Sequence, residues 1–221
     1  MLVVLKSCIL AFSALLPVIN PLGSALIFLG LVGAAPSNQF RSLARQVAIS
    51  TVLFLVVIEL GGAFLLSFFG ISLPVVQLAG GLVLAAMGWS LLNEKDKNGH
   101  GQASQSAPVD DGGSLQEKVF YPLTFPVTAG PGCIVVTLTL SAHASHNQLL
   151  SSLLAHLGIT LGIVGQGLAV WLSYAYAPKI TRRISPQTVH GILRVIAFVL
   201  LCIGVQIGWN GLEAMIKAMP K

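Results

Sequence analysis

Apolar residues run along this chain in six long blocks, at about 2–32, 47–69, 74–92, 120–142, 149–177 and 189–215. About 20 consecutive apolar residues coiled as a helix cross a 30 Å hydrocarbon layer. Blocks of that length without period-two alternation predict spanning helices rather than a β-barrel. The first and fifth blocks exceed what one upright helix needs, so tilt, kinking or unwound backbone is expected there. The first block is also too long for the apolar part of a secretion signal, about 7 to 15 residues, and counts as a span. The expected fold is an all-α membrane protein with six transmembrane helices.

Composition removes the soluble alternative. Of 221 residues, 55% are hydrophobic and 9% charged, and the mean hydropathy is +0.86; a water-facing surface cannot be built from so few charges. The formal net charge of +5 is explained by the links between blocks rather than by nucleic acid. Arg41 and Arg45 follow the first block, Lys95, Lys97 and Lys118 the third, and Lys179, Arg182 and Arg183 the fifth, whereas the other side carries only Lys6, Lys217 and Lys221. The positive-inside rule then places the long links in the cytoplasm and both termini outside.

Chemistry of the usual enzymatic kinds has little to work with. Cys8, Cys133 and Cys202 are scattered without a CxxC pair and are expected to be small buried residues. His143, His146 and His156 lack ligand spacing, so no metal and no cofactor is expected. Phosphate-loop, nucleophile-elbow and zinc-protease patterns are missing from the chain, which is read as neither an enzyme nor an ATP-driven pump.

Residues 94–118, rich in Gly, Ser, Gln and Asp, read as a flexible cytoplasmic linker between a three-helix half at 1–93 and another at 119–221. Three crossings per half put two similar halves in opposite orientations, the inverted-repeat arrangement of many secondary transporters. Faint internal similarity keeps the same order in both: PVINPLG answers PVTAGPG, and GGLVLAAMGWSLL loosely answers AFVLLCIGVQIGW.

The first and fourth helices are expected to break near the midplane. Pro21 interrupts helical bonding, yet Asn20 is a favoured N-cap and Pro21 suits a first helical position; Gly130 and Pro131 repeat the pattern. A helix start carries unpaired amides and partial positive charge. Two starts facing one another would form a small donor-lined cavity suited to a carboxylate, lined by Asn20, Ser24, Thr128 and the backbone of Gly23, Gly130 and Gly132. The plainer reading is a pair of proline kinks that only shape packing.

Asn20-Pro21-Leu22-Gly23, the Gly80-Gly81 pair, PLTFPVTAGPG from 122 to 132 and the closing GVQIGWNGL together resemble the MarC family of bacterial integral membrane proteins. That resemblance implies a multi-pass bacterial inner-membrane protein with periplasmic termini, linked to transport of small neutral amino acids such as glycine and alanine. The binding region it implies is Asn20, Pro21 and Gly23 with Thr128, Ala129, Gly130, Pro131 and Gly132.

Other polar residues sit deep in the blocks. Glu59 is either a group coupling transport to a proton or a neutral glutamic acid bonded at a helix contact. Enzymatic acid-base work by Glu59 and a histidine is disfavoured, because His156 is read as too close to the interface to share its level. Gln166, Gln206 and Asn210 are expected to bond between helices, and the GxxxG spacings Gly158–Gly162 and Gly204–Gly208 to pack helices within the bundle. The function expected is alternating-access transport or export of a small zwitterion across the bilayer, coupled to a proton or sodium ion. The rivals are export of another small solute and a non-transporting scaffold. Gly132→Leu is expected to abolish binding.

Overall fold

The computed structural model describes residues 1–32, 37–93, 118–144, 148–179 and 186–219. These are helical, with no strand among them: α1 (Leu2–Ile19), α2 (Pro21–Val32), α3 (Ser37–Phe68), α4 (Leu73–Asn93), α5 (Val119–Thr128), α6 (Pro131–Ala144), α7 (Leu149–Ala175) and α8 (Pro186–Lys217). Among the described residues, α1, α3, α4, α7 and α8 are each long and apolar enough to cross a membrane. A sixth candidate is formed by α5 and α6 together, which meet at a bend of 69°. Residues 94–117 of the expected linker, with His146, Arg182 and Arg183, lie outside the described residues.

The exterior is greasy, and the interior mixes small and polar residues with apolar ones. Along α7, Leu149, Leu153, Leu157, Leu161, Val164 and Leu168 form one exposed stripe, while Gly158, Gly162, Gln166 and Val170 are buried opposite. On α3, Leu53, Val57, Leu60 and Phe64 are exposed, and Thr51, Leu55 and Glu59 are buried. Lipid tails are as apolar as leucine, so helices meet where small residues let backbones approach rather than where oil is thickest. Cys202 belongs to the exposed surface; only Cys133 of the three cysteines is buried, correcting the expectation for all three.

Two glycine contacts organise the bundle. α1 and α7 run in the same direction: a Cβ on Gly158 would lie 2.5 Å from the Val4 carbonyl, and one on Gly162 would lie 2.8 Å from the Cys8 carbonyl. α4 and α8 run oppositely, with Gly88 against Leu201, Gly81 against Gly204 and Gly208, and Gly211 against Pro74 and Leu78. Both GxxxG spacings thus fall on contacts within the chain. α3 crosses between α7 and the α5–α6 pair, touching α7 through Val52 and Gly167 and through Glu59 and His156.

Candidate binding site at the two helix breaks

Asn20 makes the first break. It takes the left-handed conformation at φ 45°, ψ 66°, which asparagine tolerates better than most residues carrying a Cβ. Its own N–H still reaches the Leu16 carbonyl at 2.9 Å, ending α1. Its carbonyl accepts from the Ser24 amide and hydroxyl, both at 2.9 Å, and its side-chain Oδ1 accepts from the Gly23 amide at 3.1 Å, starting α2. The Gly23 amide is therefore engaged by its own cap, and a donor expected to face the cavity is already used. A Cβ at Gly23 would run into the Asn20 side-chain amide, so this cap requires glycine there.

The second break is built from a doubled motif that sequence reasoning passed over: Tyr121-Pro122-Leu123-Thr124 followed by Phe125-Pro126-Val127-Thr128. Both X-Pro bonds are cis, and Tyr121 and Phe125 are extended. Each threonine hydroxyl donates to a carbonyl five residues earlier, Thr124 to Val119 at 2.8 Å and Thr128 to Leu123 at 2.5 Å. Backbone amides follow the same wide turn, Ala129 to Thr124 at 2.8 Å. Repetition of aromatic, proline, aliphatic and threonine in YPLTFPVT was the available signal. After Ala129 and Gly130 the chain re-enters a regular helix at Pro131, where the Cys133 amide bonds the Gly130 carbonyl at 3.0 Å.

Tyr174, also missed, ties the breaks together from α7. Its buried hydroxyl lies 2.7 Å from Thr128 Oγ1, while its ring stacks on Phe28 of α2 with centroids 4.5 Å apart. Between the breaks lies a cavity of about 50 Å³ lined by Asn20, Ser24, Thr128, Gly130 and Gly132, with Met87 closing it on the α4 side. Such a space admits a few water-sized groups. Five of the nine residues expected to bind substrate line it; Pro21, Gly23, Ala129 and Pro131 instead shape the backbone around it.

Gly132 turns out to be a packing residue as well as a lining one. A Cβ there would collide with the Leu84 side chain and lie 3.2 Å from Val18 Cγ1. Gly132→Leu therefore disturbs the α4 contact and does not isolate binding. Gly130 is the cleaner probe: its Cβ would meet only the Pro126 carbonyl, at 3.2 Å.

The remaining polar residues divide. Gln166 Nε2 donates to the Phe12 carbonyl at 2.6 Å, joining α7 to α1. Gln206 and Asn210 bond each other at 2.9 Å along α8, not across helices as expected. Asn210 also lines a wider depression of about 370 Å³ at the ends of α4, α6 and α8, where Glu213 and Lys217 pair at 2.6 Å. His156 reaches Glu59 at 2.5 Å, which corrects the expectation that the two occupy different levels; the antiparallel crossing of α3 and α7 brings them together.

The family model described as a MarC family integral membrane protein matches residues 5–216. The chain belongs to the MarC family. A relative from Citrobacter koseri, named inner membrane protein MarC, is 28% identical over 214 residues, covering 96% of each chain. Another of the same name, from Escherichia coli (strain K12 / DH10B), is 28% identical over 219 residues, covering 98% of this chain and 99% of its own. No solved structure matches this chain. The relatives' names place those MarC proteins in the inner membrane and carry no substrate.

Proposed function

We propose that this MarC family protein is an inner-membrane secondary transporter or exporter of a small neutral zwitterion resembling glycine or alanine, working by alternating access and converting nothing chemically. The observation that carries the reading is the pair of helix breaks, one from each half of the chain, opening on one small cavity with hydroxyl and glycine walls. Irregular backbone at membrane depth is tolerated where protein or a cavity covers it. An α-amino acid with no more than a methyl side chain matches the scale of that space.

Alternating access needs two halves that can exchange roles, 1–93 and 119–221 about the linker 94–118, and the α4–α8 contact supports such a pairing. An offset of 123 residues turns Gly81 into Gly204, Ala85 into Gly208 and Gly88 into Gly211. Under it the neighbours of Gly81, the Gly208 amide and Gly204 carbonyl, become those of Gly204, the Ala85 amide and Gly81 carbonyl. Likewise the neighbours of Gly88, the Leu201 amide and Ala197 carbonyl, become those of Gly211, the Leu78 amide and Pro74 carbonyl. Contacts that interchange in this way on antiparallel helices are what a two-fold axis in the membrane plane would produce, and they support the inverted-repeat reading. The register differs by six from the alignment of Gly80 with Ala197, an offset of 117, read from sequence alone. In this reading both termini are periplasmic.

The test is uptake of labelled glycine and alanine into proteoliposomes, against empty liposomes and against Gly130→Ala and Gly61→Ala proteins. Saturable uptake that falls at least tenfold in Gly130→Ala but not in Gly61→Ala is expected, since a Cβ at Gly61 meets nothing within 4 Å. Uptake no greater than in empty liposomes would overturn this substrate class and bring forward another solute or a scaffold.

A further inference from the structure

Glu59 is completely buried, and its Oε1 lies 2.5 Å from Nδ1 of His156, whose side chain is 23% exposed. The other carboxyl oxygen, Oε2, is buried without a hydrogen-bond partner. Ser141 on α6 donates to the Glu59 backbone carbonyl at 2.7 Å, so the glutamate is held where three helices meet. His156 lies seven residues into α7, about 10 Å from its start.

We propose that Glu59 and His156 form a proton-binding site, loaded and emptied through His156, and that this proton is the coupling ion of the transport cycle. The coupling clause rests on the transporter reading; the proton site does not. At 2.5 Å the two atoms are held by a proton between them. Written O–H···N or O⁻···H–N⁺, the occupied pair is neutral, a state a buried site tolerates. Removing one proton leaves O⁻···H–Nδ1 with a bare Nε2, so the hydrogen bond survives but the pair carries a net buried negative charge, with Oε2 still lacking a donor. The empty site is therefore unstable as packed, and α3 and α7 must part, or admit water, to relieve it. Because α7 also carries Tyr174 at the breaks, proton occupancy and cavity geometry bear on one helix.

The charged and titratable groups around the pair leave it dominated by its own two members. From α1, which packs on α7, come the exposed Lys6 and the half-buried Cys8. From α6 comes His143, exposed, with its Nδ1 on the Thr139 carbonyl at 2.7 Å. Arg45 and Arg41 on α3 lie 14 and 18 residues from Glu59, about 21 Å or more along the helix, and Lys118 precedes α5, whose Phe120 packs on Phe54 of α3.

Two measurements on the full-length protein in lipid test this. Nitrogen NMR of labelled histidine in nanodiscs, with the His156 signal assigned by its loss in His156→Gln, follows protonation of the imidazole ring against pH. A midpoint displaced at least tenfold in proton concentration between wild type and Glu59→Gln is expected; identical titration in both would overturn the site. Should Glu59→Gln fail to fold, Glu59→Asp serves, because shortening the side chain breaks the 2.5 Å contact and must also displace the midpoint. In proteoliposomes, Glu59→Gln is expected to lose proton-gradient-driven accumulation at least tenfold more than solute exchange at equal concentrations; equal loss of both would overturn the coupling role. A wild-type protein that moves no solute removes the transport reading and with it the coupling role, while the NMR titration still decides the proton site.

Discussion

Thr128 spends its hydroxyl proton on the Leu123 carbonyl, so Tyr174 is the donor in the 2.7 Å contact between their oxygens. Tyr174 is buried, whereas Tyr176 two residues later is 41% exposed, and nothing in WLSYAYAP separates them. That difference arises because Phe28 on α2, itself packed against Phe40 of α3, supplies the surface on which the Tyr174 ring stacks. Tyr174→Phe keeps the stacking on Phe28 and removes only the hydroxyl. It should cost about 1 kcal/mol, in the range of hydrogen bonds inside membrane proteins, read as a lowered thermal unfolding midpoint in detergent. Thr128→Val should cost more, because it also removes the bond to the Leu123 carbonyl, and the double variant should lose less than the sum, since the bond between the two hydroxyls is removed by either change. Asn20, by contrast, was legible: an asparagine before proline inside an apolar block announces a cap from its own chemistry. The outcome that its side chain would close on the Gly23 amide, and not remain open to a ligand, needed the left-handed angle that only the folded backbone displays.

Contacts between elements follow glycine placement more closely than hydrophobicity. Where a glycine faces backbone, a methyl group cannot be accommodated by turning a side chain; the helices must separate. Gly88→Ala and Gly211→Ala meet equivalent atoms, with an amide at 2.6 and 2.7 Å and a carbonyl at 2.8 and 2.5 Å respectively. Each should destabilise by about 1–3 kcal/mol, the usual cost of overpacking, and the two should agree closely if the α4–α8 contact has two-fold symmetry. Gly61→Ala and Gly30→Ala, with nothing within 4 Å, should be neutral or gain up to about 1 kcal/mol from helix propensity. Detergent unfolding of the four variants side by side checks this. Sequence spacing singled out Gly158–Gly162 and Gly204–Gly208, but it had no means of pairing Gly88 with Leu201. Which glycine meets which backbone depends on where two helices cross, and that point is set by the rest of the bundle.

At the scale of the whole molecule, helix directions and charge placement give a testable orientation. Single cysteines introduced into a chain without its own three should divide by side: Lys217→Cys is expected to react with an impermeant maleimide in intact cells, and Arg41→Cys to react at least tenfold more after lysis. Reversal of that pattern would place the termini in the cytoplasm. Six apolar blocks, their breaks at Asn20-Pro21 and Gly130-Pro131 and the charge-rich links are all properties of short stretches. Hydrocarbon thickness, the missing amide of proline and the cost of a buried charge act on the residues that carry them, so the sequence by itself determined a helical membrane protein with several apolar helices long enough to span. The wide turns of YPLTFPVT, the reach of His156 to Glu59, the tie from Tyr174 to Thr128 and the 50 Å³ cavity were decided only by the tertiary structure. In a bilayer both faces of a helix can be apolar, so no periodicity records which way it is turned. Rotation and crossing are set by packing between segments far apart in the chain.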